Sequence, residues 1–442
     1  MRRIALVVAG LLLACRFCQA GASGNSSIDP ASDSLGQNLV AFPNWVESEF
    51  TKAGDVGVTP FFSYWGIFQG NPVGGQAQEV GYAHEMLFGA TFDMQKLVGW
   101  NGASFKISGA SNSGTNLSTA IGNVFNTAES YVTPTGMFYE MYYAQKLFDN
   151  FLEFRVGRMV VADQFCGLPA FGMQVSGGID GNPTSLFLNS NFTSSPNATW
   201  GATVKINPTP IIYAETGVFQ ATNRLGKIAY HGLDFSMRGN DGLLMFAETG
   251  WSPTFGAQPA GTTHDKDGKK SVVPADAGLP GLYKFGGYFS TFPYAGFLGG
   301  AQQNTYGFYL LAQQTVWQSA KNASHNFAVW GGVTYSPQFQ VAEMPVMGFG
   351  GTIWQGLIPG RDQDQFLCTW MTGSFSSAYA DSVAATPGNA RPTAETVFDV
   401  SYIINITPNV FIQPDIQYII QPNGVGTTPN ALVIGAQFGC NF

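Results

Sequence analysis

The chain has 442 residues, a formal net charge of −8, 55 glycines, 14% aromatic residues and only 11% charged residues. Average soluble domains carry about 25% charged residues, and a mean hydropathy of +0.04 without an apolar run of about 18 residues after the N-terminus excludes a bundle of membrane helices. The acidic balance and the lack of a basic stretch argue against a nucleic-acid partner.

An export signal is predicted at residues 1–20. Arg2 and Arg3 form a positive n-region, residues 4–14 form an apolar h-region, and the tripeptide Cys-Gln-Ala at 18–20 offers a cleavage site. A rival interpretation takes the Leu-Leu-Ala-Cys stretch at 12–15 as a lipidation site, with Cys15 as an acylated N-terminus.

Residues 21–55 are predicted to form an N-terminal periplasmic segment with one short helix at 44–54, "NWVESEFTKAG". Asn44 suits the N-cap, Glu47 stands at the capping-box position, and Gly54 suits the stop. Because this helix precedes the first strand, we expect it on the periplasmic side as a small plug or collar.

Residues 56–442 are predicted to form one transmembrane β-barrel, because apolar and polar side chains alternate in segment after segment. In chain order these segments include "LEFRVG" around Arg155, "WGATVKI" from Trp200, "GLDFSMR" from Gly232, "LYKFGGYFS" from Leu282, "FAVWGGVTYS" from Phe327, "ETVFDVSYIINI", "VFIQPDIQYII" and the closing "ALVIGAQFGCNF". A very short turn at 407–409 alternates with longer loops such as 421–430, as in outer-membrane barrels.

The predicted fold class is therefore all-β, an antiparallel barrel with a short N-terminal periplasmic helix. Strands in lipid must close on themselves because unpaired backbone groups are costly there. About 420 mature residues, at roughly 25 per strand and connection, predict about 16 strands around a water-filled lumen. The three cysteines after the signal, Cys166, Cys368 and Cys440, make no disulfide framework or metal-site pattern.

Several stretches resemble the carbohydrate-selective outer-membrane porins of the porin B type. They are "GNPVGGQ" (70–76), "KLVGWNGASFKISG" (96–109), "NLSTAIGNVF" (116–125), "YEMYYAQKLFDN" (139–150), "FRVGRMVVADQF" (154–165), "NATWGATVKINPT" (197–209), "HGLDFS" (231–236), "LPGLYKFGGYFST" (279–291) and "QPDIQYIIQPNG" (413–424). The resemblance implies passive, sugar-selective diffusion of glucose and related sugars across the outer membrane of a Gram-negative bacterium.

Two alternatives stay open at this point. One is a less selective general diffusion porin, and the other is a secreted β-protein that binds glycans. No enzyme, cofactor or metal is expected, since no catalytic constellation is present and the Asp-Lys-Asp-Gly run at 265–268 lacks the later acidic ligands of a calcium loop.

Alternation of side chains predicts which residues face the lumen. Arg158 falls on the apolar face unless a bulge at Gly157 turns it inward, and since Gly-Arg steps in porins usually place the Arg at the constriction, we expect that bulge. Trp330 is a candidate platform for stacking sugars. The expected substrate-path residues are Glu140, Arg155, Arg158, Glu215, Asp234, Arg238, Glu248 and Trp330. For Arg158 the alternative is an interfacial arginine at the strand end, and for the others it is a solvated wall residue in a wide pore.

Trp200, Trp251 and Tyr418 fall on apolar faces near strand ends and are expected in the membrane girdle. The terminal Phe442 resembles the signal read by the barrel assembly machinery of the outer membrane. The expected partners are therefore sugars, outer-membrane lipid and that machinery, and the sequence leaves the oligomeric state open.

Overall fold

A single closed sheet forms the body of the protein. The computed structural model describes residues 32–128, 135–224, 227–257, 261–264, 270–273, 278–302 and 304–442. Its sixteen long strands are β1 (Val58–Val73), β2 (Val80–Asp93), β3 (Ala103–Gly114), β4 (Thr135–Leu147), β5 (Leu152–Met159), β6 (Thr199–Thr209), β7 (Ile212–Ala221), β8 (Gly242–Trp251), β9 (Leu279–Ser290), β10 (Thr305–Gln318), β11 (Asn326–Tyr335), β12 (Val346–Gln355), β13 (Gln365–Ser374), β14 (Ala394–Thr407), β15 (Val410–Ile420) and β16 (Ala431–Asn441).

Each strand pairs antiparallel with its neighbours in sequence, and β1 also pairs antiparallel with β16. At the seam the backbones of Phe62 and Phe442 exchange two hydrogen bonds, of 2.8 and 3.1 Å. The sheet therefore has no free edge along its long strands, which is the condition for crossing a lipid bilayer. This closure confirms the predicted barrel.

The outer wall is apolar, and the side chains of the inner wall are either polar or buried in contacts inside the barrel. In β14, Phe398 and Val400 are 45% and 41% exposed, whereas Asp399 between them is 2% exposed. The same outward apolar set continues around the barrel with large side chains such as Phe285, Leu310 and Ile434. The alternation in the sequence thus corresponds to a lipid face and a lumen face.

The two ends of the barrel differ in the length of their connections. Most connections at the end that carries Phe442 are short, such as 148–151, 210–211 and 408–409, whereas 160–198, 222–241 and 375–393 at the other end are long. The exception is 252–278, where Gly261–His264 pairs with Lys270–Val273 as a hairpin. Residues 265–269, which include the Asp-Lys-Asp-Gly run, lie outside the described residues.

An N-terminal helix is present, as predicted, but it is longer than the sequence pattern indicates. It spans Ser32–Asp55, so Asn44 lies in its interior and is not its N-cap. The capping pattern misleads because Asn and Glu three residues apart also occur on exposed helix surfaces. Lys96 donates a 2.9 Å hydrogen bond to the carbonyl of Gly54, which fixes the end of the helix to the barrel rim.

Among the described residues, no helix combines the length and apolar character needed to span a membrane. The predicted signal peptide at 1–20 and the alternative lipidation site at Cys15 lie outside the described part of the chain.

Candidate functional site

The connection between β5 and β6, residues 160–198, folds into the barrel, and we call it the inner loop. Its apolar side chains, among them Phe165, Phe171 and Leu186, join inward side chains of the wall such as Phe246 and Tyr309 in one buried cluster. Gly217 makes room for it, because a Cβ there would lie 2.8 Å from the Phe165 ring. One side of the lumen is therefore filled by a hydrophobic core, and the passage is displaced toward the other side.

Polar contacts anchor the inner loop to the same part of the wall. The backbone N–H of Cys166 donates to Glu248 of β8 at 2.9 Å, and Gln413 of β15 donates to the carbonyl of Met173 at 2.8 Å. These hydrogen bonds satisfy loop groups that would otherwise be buried without partners. The loop is consequently a fixed constriction.

One edge of the inner loop lies beside β5. Asp163, Pro169 and Gly172 are exposed along this edge, and Arg155 of β5 reaches across to donate a 2.6 Å hydrogen bond to Gln164. Arg155 also pairs with Glu153 at 2.7 Å. The passage is thus bounded by the loop edge on one side and by an arginine-bearing wall on the other.

Four charged residues on adjacent strands form a continuous row on the lumen wall, which we call the charged row. Glu153, Lys205, Glu215 and Glu248 are successive cross-strand partners on β5, β6, β7 and β8. Like charges directly opposite each other are destabilising, so the Glu215–Glu248 neighbours need cations beside them. Lys205 lies 3.6 Å from Glu215, and Lys284 lies 3.2 Å from Glu248.

A further ion pair lies on the neighbouring strands β3 and β4. Lys106 of β3 contacts the buried carboxylate of Glu140 on β4 at 2.6 Å. The ammonium group of Lys106 also lies 5.3 Å from the centre of the Phe61 ring and 5.7 Å from that of Tyr142. Lys205 is placed in the same way, 4.0 Å from the centre of the Tyr213 ring.

The open wall therefore combines cations, carboxylates and aromatic rings. Sugars present hydroxyl groups at their edges and apolar C–H groups on their faces, so they can use both kinds of contact. The side chains of Lys106, Arg155 and Lys205 keep 23%, 29% and 31% of their surface exposed, and each remains accessible to a passing molecule. Such partly exposed groups favour weak, reversible contacts, as conduction requires.

The structure turns several of the predicted path residues inward. Glu140, Arg155, Glu215 and Glu248 all lie on the lumen side, in the ion pairs described above. Trp330 also points inward, but it is only 5% exposed, since Phe171 of the inner loop packs edge-on against it at 5.8 Å. Trp330 therefore contacts the inner loop and presents no open face to the passage.

The expected inward turn of Arg158 is wrong. Pairing of β5 with β4 and β6 runs through Gly157 and Arg158 without a register shift, so Arg158 stays on the face of Val156, which is 49% exposed. Its guanidinium donates to the carbonyls of Asp234 at 2.7 Å and Ala198 at 2.9 Å. Its hydrogen bonds therefore go to backbone carbonyls, and the guanidinium lies 4.9 Å from the centre of the Phe235 ring, away from the lumen.

Asp234 and Arg238 are also misplaced by the sequence prediction. They belong to the connection 222–241, which we call the outer segment, and no strand is assigned to its described residues. Asp234 pairs with Arg224 at 3.2 Å. The alternation in this stretch has another cause, because Phe235 packs on the outer-face rings of Phe138 and Trp200 at 5.9 and 6.2 Å.

The three residues expected in the girdle lie on the outer face. Trp251 and Tyr418 are exposed, and Trp200 lies beneath Phe235, to whose carbonyl it donates a 3.0 Å hydrogen bond. Phe442 closes the seam through its backbone, as described above.

The sequence interpretation missed Lys106, Lys205, Tyr213 and Asp163. For two of them a signal was present: Lys106 alternates with the outward Phe105 and Ile107, and Lys205 alternates with Val204 and Ile206. Asp163 carried no such signal, since its place depends on how the inner loop folds. No group of three or more His, Cys, Asp or Glu side chains suited to a metal ion occurs in the described ranges.

Comparisons with known proteins agree with this architecture. Residues 77–442 match the family described as carbohydrate-selective porin, OprB family. The chain is 22% identical to Porin B of Pseudomonas aeruginosa over 404 residues, 82% of each chain, and 24% identical to the putative porin QuiX of Acinetobacter baylyi over 394 residues, 81% of this chain and 83% of the relative. Its fold is similar to the high-pH structure of Pseudomonas putida OprB, with a TM-score of 0.80 and 22% identity over 90% of this chain and 97% of that one.

Proposed function

The chain belongs to the family of carbohydrate-selective porins of the Gram-negative outer membrane, and from this premise we propose that it passes glucose and related small sugars passively into the periplasm. The observation that carries the proposal is the open wall opposite the inner loop. There Lys106 and Lys205 lie beside the rings of Phe61, Tyr142 and Tyr213. Arg155 adds a partly exposed cation that is paired with Glu153.

The contacts of this wall suit a neutral, polyhydroxylated molecule. Lys106 and Lys205 are each balanced by a carboxylate, Glu140 and Glu215, so the wall offers donors and acceptors together with little net field. An anion-selective channel would instead present a ladder of cations without such partners. Hexose-sized molecules can therefore exchange water for wall contacts along this face at low cost.

Four of the expected path residues keep their proposed role. Arg155 is the strongest candidate for contact with the sugar, because its cationic side chain joins the wall to the edge of the inner loop. Glu140, Glu215 and Glu248 act through their ion pairs, which hold the lysines in place. Lipid contact at Trp251 and Tyr418 and recognition of Phe442 by the assembly machinery also belong to the proposal.

Liposome swelling separates this function from unselective diffusion. The purified chain should admit glucose faster than an amino acid of matched size and zero net charge. Planar-bilayer recordings should in addition show that glucose reduces the ionic current in a saturable manner. Equal swelling rates together with an unblocked current would replace the proposal with a general diffusion porin.

A further inference from the structure

A cluster of buried acceptor oxygens lies on the inner wall, away from the charged row. Asp399 of β14 and Gln417 of β15 are direct cross-strand partners, and Asp415 stands two residues before Gln417 on the same face. All three are almost completely buried, with exposures of 2%, 0% and 2% for Asp399, Gln417 and Asp415.

The donors nearby serve only two of the five side-chain oxygens of these residues. Gln69 and Gln417 both donate to Asp415 Oδ2 at 3.0 Å, and the backbone N–H of Ser176 donates to Asp399 Oδ2 at 3.3 Å. Asp399 Oδ1, Asp415 Oδ1 and Gln417 Oε1 are buried and accept no hydrogen bond from any described residue.

The charge of the cluster is also uncompensated. Neither Asp399 nor Asp415 forms an ion pair with a lysine or arginine in the described part of the chain. A third carboxylate, Asp180 of the inner loop, interacts electrostatically with Asp399 and adds negative charge. Two neighbouring buried carboxylates must be neutralised, by a proton or by a bound cation, and a single cation can also contact all three unpaired oxygens.

We propose that Asp399, Asp415 and Gln417 bind one hard divalent cation, of which Ca²⁺ is the best match. Ca²⁺ takes carboxylate and amide oxygens in irregular geometry at about 2.3–2.6 Å, whereas Mg²⁺ demands a near-ideal octahedron. The ligands come from two adjacent strands of fixed register, so their spacing is set by the barrel wall.

The ion would tie two connections to the wall, the inner loop and the connection that follows β3. Asp399 holds the inner loop through Ser176, and Gln417 holds the connection after β3 by donating a 2.8 Å hydrogen bond to the carbonyl of Thr127. The site is therefore a structural clamp on the parts that narrow the lumen.

Calorimetric titration of the full chain in a neutral detergent, after removal of metal on a chelating resin, tests the proposal with CaCl2 as the probe. Wild type should bind one Ca²⁺, and the double variant Asp399→Asn/Asp415→Asn should bind it at least 100-fold more weakly. The matched control is Asp381→Asn, since Asp381 is an exposed carboxylate that pairs with Arg391 on a connection at the loop end. That control should retain wild-type affinity.

If the double variant does not fold, the single variants Asp399→Asn and Gln417→Met carry the same test, each with an expected loss of about tenfold. Their folding is checked by the heat-dependent shift in electrophoretic mobility. Wild type that binds no Ca²⁺ at millimolar concentration, or folded site variants that bind as well as wild type, would overturn the proposal.

Discussion

Arg155 Nη1 donates a 2.6 Å hydrogen bond to Gln164 Oε1, and this bond joins the barrel wall to the edge of the inner loop. The same guanidinium pairs with Glu153 at 2.7 Å. One side chain thus contributes a partly exposed charge to the passage and fixes the loop that narrows it.

Replacing Arg155 with Ala should weaken the glucose block of the ionic current. A hydrogen bond from a charged group is worth about 1.5–3 kcal/mol, so the half-blocking glucose concentration should rise about tenfold, the equivalent of about 1.4 kcal/mol. The control is Arg158→Ala, whose guanidinium faces the outer segment and should leave the block within about twofold of wild type. If the half-blocking glucose concentration changes in Arg158→Ala but not in Arg155→Ala, the sugar contact belongs to Arg158 instead.

Replacing Glu248 with Ala should destabilise the barrel. Its carboxylate accepts hydrogen bonds from the hydroxyls of Tyr213 and Tyr309 and from the Cys166 N–H, and it pairs with Lys284. Removing one partner of a buried ion pair typically costs about 3–5 kcal/mol. Urea unfolding in detergent measures this loss, and Glu49→Ala on the exposed N-terminal helix should change stability by less than about 0.5 kcal/mol. Equal effects of the two variants would contradict the anchoring role of Glu248.

The outer segment should keep its ordered structure until the pH becomes strongly acidic. Hydrogen bonds from Ser236, and then the pairing with Arg224, lower the pKa of Asp234 to about 2, and bonds from Arg224 lower the pKa of Asp241 as well. A carboxylate with a lowered folded-state pKa contributes stability that is complete above its unfolded pKa of about 4 and is lost as the pH falls through the folded value. The segment should therefore loosen only between about pH 4 and pH 2.

A fluorophore attached to the cysteine of Met237→Cys reports loosening of the outer segment as a fall in fluorescence anisotropy. Met237 suits the label because it is 69% exposed. The signal should be constant from pH 7 to about pH 4 and fall below it. In the background Asp241→Asn, the anisotropy should already be low at pH 7. A transition centred near pH 6 would assign the change to a different group.

Deleting Phe442 should impair insertion into the outer membrane more than it impairs stability. The deletion removes only two backbone hydrogen bonds of the seam, whereas the aromatic terminus is the expected assembly signal. The amount of folded chain in the outer-membrane fraction should drop severalfold, and Phe442→Tyr should restore it. A deletion variant that inserts normally but unfolds more easily in detergent would assign Phe442 to the seam alone.

The sequence was sufficient for the barrel because every strand must obey the same rule of alternation. Phe398, Asp399 and Val400 lie on the faces that their order predicts. The rule also holds for Arg158, which lies where simple alternation puts it; the error came from assuming a bulge at Gly157. The prediction for Asp234 failed for a different reason. The alternation around it comes from packing of this segment on the outer wall and not from a strand of the barrel.

The constriction could not be read from single strands. Trp330 faces inward as alternation predicts, but the inner loop covers it. No pattern in the sequence around Trp330 predicts its contact with Phe171. The charged row likewise depends on which positions of four strands fall opposite one another. Register across strands and the path of a long loop are long-range properties, so local patterns leave them undetermined.

The hydrogen-bonded pair Phe62 and Phe442 joins the first strand to the last residue, nearly the full length of the chain apart. The chain must lose conformational entropy to close this long loop before the contact contributes any stabilisation. Folds dominated by such distant contacts therefore form slowly. The seam joins β1 to β16, so a chain that lacked β16 would hold an unpaired strand edge in the bilayer. The wall can therefore close only when the two strands most distant in sequence have met, and no local folding step can make it watertight.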